Sequence, residues 1–206
     1  MVTHVFQNLI TTYGWDTTEL SAVLAIIPED LTDFWLAGGA LRRTITAESI
    51  IGKSDFDFFF KNEEAFVDML TAFSEMGFII KRENDANKTL EGKVKLGEEE
   101  KTIIVQLIKI QFYQTVDALL DSFDFTLCQF ALDTKTGTFY CGDTSMFDAA
   151  RRRIVVHKVT YPVASLRRLI KYTSQGYYAC HGCLSTFLEK VREIQPSAEN
   201  QIQYFD

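Results

Sequence analysis

The run Ser54-Asp-Phe-Asp-Phe-Phe-Phe60 constrains this chain more than any other stretch. Its alternation has the period of a β-strand, so Asp55 and Asp57 share one face while Phe56 and Phe58 share the other. So apolar a segment does not suit an exposed sheet edge, and its two acids are expected to line a cleft. Paired carboxylates are costly unless something cationic lies between them. A hard divalent ion meets that need, because it takes carboxylate oxygens and leaves room for phosphate.

About twenty residues earlier stands Phe34-Trp-Leu-Ala-Gly-Gly-Ala-Leu-Arg-Arg43. Phe34–Ala37 reads as a strand, and Gly38-Gly39 as a sharp turn into a helix where a backbone can approach a ligand closely. Helix starts carry unpaired N–H groups that suit phosphate. The two segments together read as a metal-dependent, phosphate-handling site.

The pairing of Gly38-Gly39 and Arg42 with Ser54-Asp55-Phe-Asp57 resembles the signature of the nucleotidyltransferase superfamily, whose palm is polymerase-beta-like. That superfamily includes CCA-adding enzymes, poly(A) polymerases and small antitoxin-type nucleotidyltransferases. Arg43 stands where the CCA-adding group has an aspartate. The resemblance implies an α/β (α+β) palm: a mixed, mainly antiparallel sheet backed by helices, with a short helical C-terminal part. It implies residues 1–158 as palm with N-terminal helices, and 159–206 as a neck-like helical segment with a polar tail. It further implies that Asp55 and Asp57 hold Mg2+ or Mn2+, that Gly38 and Gly39 hold the nucleoside triphosphate, and that Arg42 faces the triphosphate or the sugar. Ser54 either touches phosphate or caps a local turn.

The superfamily usually adds a third carboxylate on the strand beside the Asp-x-Asp pair. The strand expected at 103–110 offers Gln106 and no acid. Asp124, at the head of an expected strand over 123–132, is the remaining candidate; a turn cap or a partner for an arginine is the competing role. On the helix after Pro162, Leu166, Leu169 and Ile170 form the expected inward face. Arg168 and Lys171 are candidates for triphosphate or base-side contacts, with ordinary surface charge as the alternative. Arg151–Arg153 is the densest positive run and the candidate RNA or phosphate contact. Lys93 and Lys95 lie on an expected hairpin or mobile loop within 83–101.

The rest of the chain sets bounds. Residues 4–28 read as helical packing, with Asp16-Thr-Thr-Glu19 as a capping box, and 62–77 as an amphipathic helix closed by Gly77. A core is well supplied by 17 Phe among 206 residues. The formal charge of −7 argues against a broad grip on nucleic acid and leaves room for a small basic cleft. No membrane span or signal-peptide pattern shows, so a cytoplasmic location without membrane partners is expected. None of the three histidines sits where a general base is needed, and a phosphohydrolase of the histidine-rich kind is disfavoured.

Cys180-His-Gly-Cys183 has the spacing of a zinc or redox motif, but Cys128 and Cys141 lie on other elements. Redox use asks for a strand just before the motif, and none is expected there. Ordinary reduced thiols are the expectation. The sequence thus points to transfer of a nucleoside monophosphate, from ATP or another nucleoside triphosphate, to a hydroxyl of RNA or protein. The competing class is a palm kept for binding nucleotide or protein without catalysis.

Overall fold

In the computed structural model, residues 1–193 are described, and the polar tail expected from Pro196 lies outside them. The Phe-rich alternation forms β3 (Phe56–Phe60) at the middle of an eight-stranded sheet. On one side β3 pairs antiparallel with β2 (Phe34–Ala37), placing Ala37 opposite Asp57. On the other it pairs parallel with β6 (Glu99–Ile108), placing Gln106 opposite Asp57. The remaining strands are β1 (Val2–Val5), β4 (Ile79–Glu83), β5 (Asn87–Leu96), β7 (Phe130–Asp133) and β8 (Thr138–Cys141). Their spatial order is β1-β8-β7-β2-β3-β6-β5-β4, with the β3–β6 pair alone parallel.

The period of two sorts the β3 side chains as expected. Phe56, Phe58 and Phe60 are fully buried in the main core with Leu36, Phe73, Leu90 and Leu107. That core lies under α4 (Glu63–Glu75), whose Phe66, Met69 and Phe73 recur at helical spacing. Asn62 caps α4 by accepting the Ala65 N–H at 2.8 Å. Gly77, at φ +84°, lets the chain reverse so that the Phe78 N–H reaches the Phe73 carbonyl. The other sheet face buries Trp35, Ala37 and Ala131 against Leu119 and Leu120 of α5 (Val116–Asp121).

Gly92 of β5 shows how tightly the main core is closed. A Cβ there would fall inside the ring of Phe78, which is itself packed 4.8 Å from Phe73 between centroids. The obstacle is a buried ring, so relaxation is costly. Gly92→Ala is expected to lower stability by about 2–3 kcal/mol, read from the midpoint of a urea melt; an unchanged midpoint would show that the ring moves freely.

Three expectations are corrected. His4 and Val5 are not helical: they belong to β1, which pairs with β8 at the sheet edge, ahead of α1 (Phe6–Tyr13) and α2 (Thr18–Leu24). Glu19 does not complete a capping box but reaches across to the loop after α3 (Gly39–Ile45), accepting from Ser49 Oγ at 2.8 Å and from the N–H groups of Ile50 and Ile51. Of the two forms expected for 83–101, the hairpin is the one observed: β5 and β6 pair continuously, with Lys93 tied to Glu100 at 3.1 Å. Residues 123–132 are not one strand. Phe125 bridges Val156, Thr126–Cys128 form a 3-10 turn, and only then does β7 begin. A buried hydrogen bond from Thr126 Oγ1 to Asp148 of α6 (Ser145–Ala150), at 2.7 Å, holds that turn.

The chain then passes β9 (Arg153–Ile154), α7 (Pro162–Ser174), β10 (Tyr178–Ala179) and α8 (His181–Glu193). Here a fourth correction falls. On α7, Leu169 is buried, but Leu166 and Ile170 are 44% and 59% exposed. Polar anchors choose the packed side of this helix: Tyr172 lies over Arg42, and Arg168 pairs with Asp124. Among the described residues no helix is long and apolar enough to cross a membrane.

Candidate active site

Asp57 sits within β3, and Asp55 just precedes its first residue. Both are half-buried on the face opposite the phenylalanines. Their surroundings come from three further pieces of chain. The Gly38 backbone runs beside Asp57, so close that a Cβ there would lie 3.6 Å from its Oδ2. Gly38 adopts φ +80°, ψ −128°, a conformation that side chains resist, and its N–H donates to the Phe130 carbonyl at 2.9 Å. Ser54 Oγ would lie 2.7 Å from a Cβ on Gly39. The two sequence motifs are therefore brought against each other, glycine to aspartate and glycine to serine.

Gln106 closes the third side. Its Nε2 donates to Asp55 Oδ2 in a short bond, while its Oε1 accepts from Asn87 at 3.4 Å. It stands opposite Asp57 on the adjacent strand, the strand on which the sequence resemblance implies a third acid. Sequence reasoning noted the missing acid without seeing that the amide binds Asp55. The parallel register of β3 and β6 supplies that link.

Burial raises the pKa of Asp55, against the hydrogen bond from Gln106 and the charge of Lys171. Burial, then the charge of Asp55, pushes Asp57 up to about 7, with Lys171 and Arg168 pulling the other way. Lys171 and Arg168 thus reach the carboxylates through their fields from α7. Lys171 is exposed, and its charge lowers the pKa of both acids.

Asp124 and Arg42 take other places. Asp124 is 6% exposed and accepts a short ion-paired hydrogen bond from Arg168 Nη1. Its backbone carbonyl accepts the N–H groups of His157 and Lys158 at 2.8 and 3.1 Å. Among the described residues no group of three acidic, histidine or cysteine side chains is gathered for a metal, so Asp124 does not join the pair. Arg42 is 2% exposed and turns away from the Gly-Gly turn. Its guanidinium lies 5.0 Å from the Tyr172 ring and 4.8 Å from the Tyr177 ring, and Nη2 donates to Gln175 at 3.1 Å. Two aromatic faces can hold a desolvated cation, which makes Arg42 a clamp between α3 and the C-terminal helices.

The arginine run likewise divides. Arg152 reaches Glu48 at 3.1 Å and the Gln175 carbonyl at 3.3 Å, and Arg153 approaches Asp148 at 3.7 Å. Arg151 lies over Phe147. Each arginine thus has an intramolecular contact, and all three remain exposed.

A central strand bearing paired acids, facing a Gly-Gly turn, sits in a mixed α/β fold that resembles the head of the CCA-adding enzymes. Solved structures agree on the fold. The chain superposes on a CCA-adding enzyme in complex with ATP with a TM-score of 0.63 at 13% identity, covering 94% of this chain and 47% of that one. For the Thermotoga maritima CCA-adding enzyme complexed with tRNA the TM-score is 0.62 at 14% identity, covering 94% and 46%. The sequence model of the family described as "Gabija anti-defense 2 family protein" matches residues 6–152, and the chain belongs to that family. The curated relative "Gabija anti-defense 2" of Bacillus phage SPbetaL7 is 24% identical over 144 residues, 69% of this chain and 33% of the relative. The chain therefore spans a third of that relative and about half of the solved CCA-adding enzymes.

Proposed function

We propose that this chain is a metal-dependent nucleotidyltransferase acting in the cytoplasm, moving a nucleoside monophosphate from a nucleoside triphosphate, ATP among them, to a hydroxyl acceptor. One observation carries the reading: Asp57 stands against Gly38 and Ser54 against Gly39, with Asp55 on the same strand face as Asp57 and both acids' pKa values raised by burial. Such a pair gains most from a divalent cation, and its all-oxygen donor set fits Mg2+ or Mn2+. Asp55 and Asp57 would hold the metal, which when bound lowers the pKa of the attacking hydroxyl and neutralises the departing pyrophosphate.

The chain's own groups do the positioning. The backbone at Gly38 and Gly39, with Ser54 Oγ beside it, cradles phosphate oxygens. Lys171 and Arg168 draw in the triphosphate from α7, and Asp124 fixes the Arg168 fork through their ion pair. Gln106 holds Asp55 in place by its amide. The acceptor oxygen bonds to the α-phosphorus as the bond to the β-phosphate oxygen breaks, and pyrophosphate leaves. The acceptor is an RNA 3′ end or a protein hydroxyl. The relatives' name speaks of action against a defence, so a protein component of such a defence belongs beside tRNA in the assay.

Incubation with each labelled nucleoside triphosphate, Mg2+ or Mn2+, and either total tRNA or cell extract tests this. Label is expected to pass to one acceptor band and to fall by at least about a thousandfold in the Asp55→Ala/Asp57→Ala variant. Gln106 favours a second reading, in which the palm binds nucleotide or a protein partner without transfer, because an amide stands on the strand where the resemblance implies an acid. Saturable nucleotide binding with no transfer to any acceptor would select that reading.

A further inference from the structure

The nucleotide site makes no use of Cys180-His-Gly-Cys183. A strand was not expected before this motif, yet β10 (Tyr178–Ala179) runs parallel to β9 and leads directly into Cys180. The Cys180 carbonyl accepts the Leu184 N–H at 3.1 Å, so Cys180 is the capping residue of α8. Its Sγ takes the place of a capping oxygen, accepting the Cys183 N–H at 3.4 Å. Cys180 is exposed, whereas Cys183 is 7% exposed among Leu127, Ile154, Leu169 and Tyr177. One sulfur is thus open to reagents, and the second waits one helical turn behind it. Burial pushes the Cys183 thiol up, which keeps it from reacting first.

We propose that Cys180 and Cys183 form a reversible dithiol–disulfide site that exchanges with small-molecule or peptide disulfides. The Cys180 thiolate attacks one sulfur of R–S–S–R; that S–S bond breaks and R–S⁻ leaves, joining Cys180 to the other R–S group. The Cys183 thiol then gives up its proton and its sulfur attacks Cys180 Sγ, expelling the second R–S⁻. The protons lost by the two cysteines end on the two leaving thiolates. Two protein thiols are oxidised to one disulfide, and one external disulfide is reduced to two thiols.

The test treats the full chain with excess oxidised glutathione, quenches with acid, alkylates the remaining thiols and maps the peptides by mass. The wild-type chain is expected to show a Cys180–Cys183 disulfide, with Cys128 and Cys141 still alkylatable after unfolding. Cys183→Ser is expected to stop with one glutathione on Cys180, and Cys180→Ser to leave Cys183 as alkylatable as in untreated protein. A wild-type chain that stops at the glutathione adduct, or keeps both thiols reduced, overturns the proposal. Protection of the pair that a chelator lifts would assign it to a metal and overturn it equally. The wild-type arm needs no substitution, so a misfolded variant does not blunt the result.

Discussion

Asp57→Asn is expected to make the metal-free protein more stable at pH 7.5 while abolishing transfer. Asp57 is held near a neutral pKa of about 7, against an unfolded value of 3.8, because burial and Asp55 oppose its charge. Between those two values the folded chain keeps a proton that the unfolded chain has released. Stability therefore falls as pH rises through that window and levels off above about 7. A shift of this size corresponds to about 4 kcal/mol at full weight; partial solvent access reduces the expected gain to about 2 kcal/mol. For a chain of this length that is a rise of about 4–8 °C in melting temperature. As pH falls through 3.8 the unfolded carboxyl is protonated too, and the difference should shrink toward zero. Thermal melts of both proteins in EDTA from pH 3.5 to 8 read this directly. Equal slopes would mean that Asp57 is not the strained acid, and the electrostatic basis of the proposed site would go with it. The same pair sets the pH response to Mg2+: binding must displace the shared protons, so affinity should climb toward pH 7 and flatten above it.

The centre of this fold was legible because its determinants are local. The alternation in β3 fixes which face carries the acids, and the structure places Phe56, Phe58 and Phe60 inward as that period demands. Gly38-Gly39 announces a turn that few other residues tolerate, and α4 shows its stripe, cap and glycine stop in consecutive residues. The misplaced residues all depend on distant chain. Arg42 lies on the right helix but is captured by Tyr172 and Tyr177, more than a hundred residues later, and no local pattern reports that pairing. Asp124 looked like a strand acid because Phe-Asp-Phe-Thr-Leu has the correct alternation. A hydrogen bond from Thr126 to Asp148 diverts the backbone before the sheet is reached. On α7 hydrophobicity alone picked Leu166 and Ile170, whereas a buried ion pair and a tyrosine set its orientation. The strand before Cys180 was not expected for a related reason: β10 is two residues long and pairs only with β9.

Arg168→Met is expected to cost stability and nucleotide affinity together. Asp124 is nearly sealed from solvent, and Arg168 is its ion-paired partner. Removing one member of a buried pair strands the other charge at about 3–5 kcal/mol. The arginine side chain is 43% exposed, so water can partly replace it and about 1–3 kcal/mol is the expected loss. The carbonyl of Asp124 also carries the N–H groups of His157 and Lys158, so the damage should spread along the approach to α7. Asp124→Asn removes the stranded charge; combined with Arg168→Met it should recover much of the loss, giving a favourable coupling in a double-mutant cycle. The kinetic signature separates the roles of the two residues. With Arg168 unanchored, Asp124→Asn should raise the KM for nucleoside triphosphate several-fold and leave the Mg2+ dependence of kcat unchanged. If Asp124→Asn instead weakened the response to Mg2+ by tenfold or more, its carboxylate would be a third metal ligand after all. The observed ion pair would then be a resting arrangement that nucleotide and metal must break. The sheet geometry favours the first outcome, since Gln106 already fills the position beside Asp57 and Asp124 is bound to the helix that brings Arg168 and Lys171 to the site.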